Sequence, residues 1–314
     1  MALEIISLSD SQSGSSAKVA PGLGFNCYSF AAPTAKGPLE VLWAAADFSA
    51  GAAKPSGSGI PLMFPFAGRI RGAKFEFEGK SYQLEPGDGL GNAIHGFVIN
   101  RPWRVTQQSA SRVVGQFQAS IDDPSVLAHW PADFRITADY QLAGATLTSE
   151  FTIENPDSRP LPFGFGTHPY FRVPLGGTSG AECVVRVGVD TNWDLEGLLP
   201  TGAKSSSAVV ADLQKGAPMS GLKLDHVFGG LTFDNHRCTA TVYDPSSKHT
   251  LAMTFLDQFT TCVVYNPPHR EAVCIEPYTT VPDAFALRAR GIDPHLQILA
   301  PGQTFRTRID IRLD

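Results

Sequence analysis

From Phe134 to Ile153 apolar and polar side chains alternate one by one on both sides of a short turn. Phe134, Ile136 and Ala138 lead to Leu142, the chain turns at Ala143-Gly144, and Leu147, Ser149, Phe151 and Ile153 continue on one side of a second run. Successive side chains of an extended strand point to opposite faces, so this pattern specifies a sheet with one buried face. A helix would repeat its apolar positions every three to four residues instead. A second alternating pair, Phe75 and Phe77 with Tyr82 and Leu84, flanks Glu78-Gly79-Lys80 and reads as a hairpin closed by a glycine turn. Runs of the same kind recur at Cys183–Val189, Thr239–Tyr243, Leu251–Phe255 and Cys262–Tyr265. The segment Thr304–Ile311 alternates apolar with charged residues and is expected to close the sheet, its charges facing water. With 30 glycines, 24 prolines and only 18% charged residues in 314, the composition also suits many short strands joined by turns.

Helical patterning is sparse. Pro124–His129 is expected to form a turn or two, capped by Asp122 or Asp123. Asp10–Ser16 reads as a turn between two N-terminal strands. Residues 200–224, rich in Gly, Ser, Ala and Pro, read as a surface excursion, because strand patterning resumes at once. No repeat of ~20–50 residues stands out, which disfavours propellers and solenoids. The expectation is one large all-β domain over residues 1–314, a two-sheet antiparallel β-sandwich.

A net charge of −5, with Lys and Arg scattered rather than run together, argues against a sequence-independent nucleic-acid binder and leaves room for a local basic pocket. The five cysteines are odd in number and form no C-x-x-C pair, so buried reduced thiols are expected. MALEIISLSD lacks the features of a secretory leader, and no run reaches ~18 apolar residues, so a cytoplasmic location without membrane contact is expected.

Three segments set titratable residues among apolar ones, glycines and prolines: Asn92–Phe97, Phe163–Phe171 and Val273–Phe285. Glu276 follows an apolar triplet and precedes Pro277; a strand ending at the proline would aim the carboxylate into a cleft, where burial raises its basicity but leaves it mostly ionised. A solvated glutamate beside a turn fits the same pattern. His168, in a nearly uncharged aromatic segment, needs a partner or stays neutral; it serves either as a proton donor or as a core histidine that fixes a turn. His95 precedes a glycine that permits close approach. Asp225 and His226 can each reach a pocket through the loop around them. Arg69 and Arg71 could hold neighbouring hydroxyls or a carboxylate, or lie on a surface turn. Two histidines and a glutamate could also bind zinc. Phosphate loops, H-E-x-x-H, G-x-S-x-G and a strand-borne G-x-G-x-x-G are absent from the sequence.

In their order, these segments resemble the aldose 1-epimerase (galactose mutarotase) family. PFAGRIRGAKFEFEGKSYQL is similar to its arginine segment and following hairpin, IHGF and THPYF to its two histidine motifs, LDHVF to its aspartate motif and IEPYTTVPDAF to its glutamate motif. The resemblance runs from about residue 60 onward and implies the galactose mutarotase-like supersandwich fold. It implies that Glu276 is the general base and His168 the general acid, that Arg69, His95 and Asp225 bind a sugar, and that no metal or organic cofactor is needed. Gly68 before the arginine, Phe97 after the first histidine motif and Pro277-Tyr278 after the glutamate depart from common family patterns and mark a divergent branch.

The implied reaction exchanges the anomers of a free aldohexose by acid–base ring opening and reclosure, with imidazole and carboxylate expected to face each other across a gap of pyranose width. Two alternatives stand beside it. A hexose-6-phosphate 1-epimerase would need basic residues converging on the phosphate, drawn from Arg69, Arg71, Arg101 and Arg104. A non-catalytic carbohydrate-binding protein would not need the acid–base pair. Trp103, Trp130, Trp193 and Tyr170 are candidate sugar platforms or packing residues. The sequence leaves oligomeric state open.

Overall fold

A computed structural model describes residues 3–314 of the chain. The alternating segments become strands Arg135–Ala143 and Thr146–Glu154, paired antiparallel along their full length with Ala143 opposite Thr146. Ile136, Ala138, Tyr140 and Leu142, with Leu147, Phe151 and Ile153, turn to the core. The hairpin also forms, Lys74–Phe77 against Lys80–Gln83, and Glu78 and Gly79 both take the left-handed backbone that a two-residue turn of this kind requires. The N-terminal strands Ile6–Ser9 and Ser16–Ala20 pair across the expected turn and extend into a four-stranded sheet.

Two large antiparallel sheets dominate. The first has nine strands, in the order Arg104–Gln108, Arg112–Gln118, Arg135–Ala143, Thr146–Glu154, Thr304–Leu313, Thr250–Leu256, Arg237–Tyr243, Val184–Arg186 and Ala217–Pro218. Thr304–Leu313 does not close an edge, as expected from sequence; it lies in the middle, hydrogen-bonded to Thr146–Glu154 on one side and to Thr250–Leu256 on the other. Its alternation explains the placement: Thr307, Ile309, Ile311 and Leu313 are buried while Arg306 and Arg312 point to water.

The second sheet has eight strands. Its central run is Thr191–Glu196, Asp225–Gly229, Thr261–Tyr265 and Ala272–Tyr278, after which the neighbouring chain breaks into two short strands, Gly166–Thr167 and Tyr170–Arg172. One face packs on the sandwich core through Phe228, Cys262, Val264, Val273 and Ile275. The opposite face carries Asp225, Val227, Val263, Tyr265, Cys274, Glu276 and Tyr278, because side chains alternate along each strand.

Helices are few. Pro124–Ala128 is a 3-10 turn capped by the Asp123 carboxylate, which accepts from the Ser125 amide. Residues 200–224 are more ordered than the expected excursion: they hold the end of strand Leu199–Ser205 and helix Ala208–Lys215. The helix escapes sequence reading because it buries only Val210 and Leu213, too few to print a helical stripe. All five cysteines are free and buried. Among the described residues, no helix is long and apolar enough to cross a membrane.

Candidate active site

The outward face of the eight-stranded sheet forms the floor of a cavity of about 340 Å³. Strand register sets its plan. Asp225 lies opposite Tyr265 and Tyr265 opposite Cys274; in the next row Val227 lies opposite Val263 and Val263 opposite Glu276. Two strand spacings therefore separate Asp225 from the strand of Glu276, about 10 Å across the sheet. The walls carry Arg69, His95, His168 and Tyr170, so all five residues implied by the family resemblance meet at one cavity.

Glu276 is not at a strand end, as the proline suggested. Its strand continues through Pro277 to Tyr278. On one flank the bridges stop at Cys274 and resume at Tyr278, so Pro277 sits where the neighbouring chain breaks. The break is the segment that carries His168 into the cavity, its backbone amide held by the Pro61 carbonyl at 3.0 Å. The His168 ring stacks on Tyr170 with centroids 4.8 Å apart, which fixes its plane.

His168 Nε2 lies 3.3 Å from Glu276 Oε1, and the Tyr278 hydroxyl donates to Oε2 at 2.7 Å. The expected gap of pyranose width between imidazole and carboxylate is thus corrected: the two groups touch. Hemiacetal chemistry explains why contact suits them. The ring oxygen and the anomeric hydroxyl share one carbon, so an acid and a base serving both oxygens must be neighbours, while the rest of a ring extends toward Arg69, His95 and Asp225.

The electrostatics also differ from the sequence expectation. Both groups are nearly inaccessible to solvent. Burial pushes the Glu276 carboxyl well above its ordinary range; the Tyr278 hydrogen bond opposes this and Asp225 adds to it. Burial pushes His168 down to about 4. Both shifts favour the neutral forms, a protonated carboxyl beside an uncharged imidazole. His95 is driven well below its usual value by burial, then by His168 and Arg69. The Nδ1 atoms of His95 and His168 are buried without a hydrogen-bond partner among the described residues.

His95 holds a left-handed backbone, rare outside glycine, and Gly96 follows in the same region. A side chain at Gly96 would strike the Phe64 carbonyl oxygen at 2.2 Å, so the close approach that aims His95 demands glycine. Gly68, the departure before the arginine, is also left-handed, and a Cβ there would meet Pro282 at 2.7 Å. Arg69 is oriented by Asp88, whose carboxylate accepts from Nε at 3.2 Å. Sequence reading missed Asp88, Tyr265 and Tyr278. Tyr278 was findable, since two residues from Glu276 on a strand means the same face; Asp88 carries no such signal.

The arginines proposed to converge on a phosphate do not. Arg71 pairs with Asp283 at 3.2 Å, Arg101 with Asp123, and Arg104 with Asp122 at 2.7 Å; of the four candidates only Arg69 lines this cavity. Trp103, Trp130 and Trp193 are buried packing residues, and only Tyr170 of the candidate platforms faces the cavity. His226 turns from the cavity, where its ring packs near Phe228. His168, Cys274 and Glu276 place ligand-type atoms within 4.8 Å of one another, a donor set that zinc accepts. Burial and then Glu276 raise the Cys274 thiol well above its ordinary value, which opposes the thiolate such a site needs.

A two-sheet antiparallel sandwich with this cavity on one sheet's outer face defines the galactose mutarotase-like class of folds. The chain belongs to the aldose 1-epimerase family, whose sequence profile matches residues 4–312. It is 24% identical over 257 residues to the uncharacterized protein YihR of Escherichia coli K12, covering 80% of this chain and 77% of that one. It is 30% identical to the uncharacterized protein YphB of the same organism over 113 residues, a match that spans only 36% of either chain. In fold it is similar to a galactose mutarotase-like protein from Clostridium acetobutylicum, with a TM-score of 0.86 at 20% identity, covering 100% of this chain and 99% of that one. The GalM/aldose epimerase homologue of Caenorhabditis elegans superposes with a TM-score of 0.80 at 20% identity, over 100% of this chain and 99% of that one.

Proposed function

We propose that the protein is an aldose 1-epimerase, a single domain over residues 1–314 that interconverts the α and β anomers of a free aldohexose. The observation that carries this reading is the direct contact between a buried imidazole and a buried carboxyl, 3.3 Å apart on the floor of a sugar-sized cavity. Between them the pair holds one proton, which is what ring opening uses. One partner gives a proton to the ring oxygen while the other takes one from the anomeric hydroxyl; the open aldehyde turns about its C1–C2 bond and recloses with the roles exchanged.

The family assigns the acid to His168 and the base to Glu276. That assignment requires the shared proton to move from carboxyl to imidazole as sugar hydroxyls enter, a transfer over one hydrogen-bond length. Arg69, His95 and Asp225 are proposed to hold the sugar hydroxyls; Tyr278 steadies the carboxylate oxygen that faces away from His168. No step in this scheme calls for a metal or organic cofactor, and the family supports a small sugar as the partner.

The test is polarimetry on freshly dissolved α-glucose and α-galactose. Accelerated anomer exchange is expected from the wild type and not from Glu276→Gln or His168→Asn, with circular dichroism unchanged. Saturable sugar binding without acceleration would instead make the protein a carbohydrate binder. Exchange confined to glucose 6-phosphate would favour the phosphate reading, against which the separately paired arginines stand.

A further inference from the structure

A second cavity, of about 440 Å³, adjoins the first, and the two share Ser56, Gly87, Ile94 and His95 as common wall. The acid–base pair lies wholly on one side of that wall; the second compartment has neither member. Phe66, Phe97, Ile99 and Val126 give it an apolar side, the Phe66 and Phe97 rings meeting edge to face at 5.9 Å, and Glu85 and Asn100 lie on its polar side. Arg101 and His129 stand among them as fixed polar groups. Arg101 donates through Nε to Asp123 and through Nη1 to the Phe97 carbonyl at 2.6 Å, and its guanidinium lies 5.9 Å from the centre of the Phe97 ring. His129 Nδ1 is 2.7 Å from the Gln83 carbonyl oxygen, so Nδ1 donates there and the ring is held in place. At the seam stands His95, whose Nδ1 is buried and without a partner among the described residues.

An apolar side facing polar groups matches a second pyranose, which offers an apolar face and an equator of hydroxyls. We propose that the preferred substrate is a reducing disaccharide: its reducing ring takes the catalytic cavity and its second ring takes the compartment beyond His95. The assignment rests on the epimerase reading above, because it places the free anomeric centre at His168 and Glu276. It specifies what that reading leaves open, namely that the sugar carries a glycosyl substituent and that Phe97, Arg101 and His129 select it.

The experiment compares glucose and galactose with a panel of reducing disaccharides, cellobiose, lactose, maltose and melibiose, by polarimetry and by calorimetric binding. The wild type is expected to show a kcat/KM at least tenfold higher for one of the disaccharides than for its reducing monosaccharide. Ser125 is exposed at the rim of the compartment and outside the catalytic cavity, so Ser125→Trp should fill the space. That variant should lose the disaccharide preference at least tenfold and turn over monosaccharides within twofold of wild type. Phe97→Ala, which removes a wall rather than filling the space, should erode the same preference. If monosaccharides are turned over as well as any disaccharide, or if both variants lower all substrates alike, the assignment is wrong. If no sugar is turned over, yet a disaccharide binds more tightly than its monosaccharide and Ser125→Trp cancels the difference, the compartment stands and the epimerase reading falls.

Discussion

The two large sheets treat charge in opposite ways. On the outer face of the nine-stranded sheet Arg112 grips Asp139 with three hydrogen bonds of 2.6–3.1 Å, and Arg308 reaches Asp310 and Glu150. These side chains keep much of their exposure, so water screens them and each pair adds little. On the outer face of the eight-stranded sheet the single pair His168–Glu276 is almost fully enclosed. Enclosure favours the neutral form of both partners. A fold gains little in stability from placing a titratable pair there, so the difference between the faces separates screened surface pairs from the enclosed pair on which the proposed function rests.

The sharpest break in that contrast comes from Glu276→Gln and His168→Asn. Each should slow anomer exchange by ~10²–10⁴-fold or more; polarimetry reads the loss, and the melting temperature should not fall, because a buried ionisable group has been removed. Smaller is the effect of Tyr278→Phe. It deletes the hydrogen bond that favours the Glu276 carboxylate, so kcat should drop about tenfold, as expected for one hydrogen bond to a charged group, and the alkaline limb of the pH–rate profile should move up. A structural role alone would leave that limb in place.

The pH profile sharpens the contrast without mutation. The one-proton pair persists from about 4, the value to which burial takes His168, up to the raised value of Glu276. Activity should therefore hold through pH 6.5, where an exposed imidazole titrates, and fall only near 4. The same depression has a stability consequence. Between 6.5 and about 4 the unfolded chain binds a proton that the folded His168 refuses, which weakens folding as pH falls, while the raised Glu276 carboxyl takes up a proton on folding and contributes in the opposite direction; His168→Asn should remove the first contribution and leave stability rising more steeply as pH falls through this window. Smallest of all, Arg112→Ala should cost about 1 kcal/mol or less in denaturant unfolding and leave the exchange rate unchanged.

Much of this was legible in the sequence. Period-two alternation gave the hairpins at Glu78-Gly79 and Ala143-Gly144, because the two faces of those strands meet different solvents. Strand Ala272–Tyr278 was harder. It is buried on both faces, so its apolar run marks a strand but not which side holds the cavity, and Pro277 misleadingly suggested an end. Sequence spacing brought His168 and Glu276 into view as candidates through their motifs. It could not give their separation, since that depends on the break between Gly166–Thr167 and Tyr170–Arg172. Helix Ala208–Lys215 went unread because two buried residues leave no periodic trace.

The central position of Thr304–Leu313 bears on how the protein is made. The nine-stranded sheet is two separate halves until this ribbon slides between Thr146–Glu154 and Thr250–Leu256. Without this ribbon the sheet has two unpaired margins, each a template for sticking to a neighbour. Joining residues 150 to 166 positions apart is the kind of distant pairing that slows assembly. Shortening the chain by that one ribbon would split the large sheet down its middle instead of trimming its border.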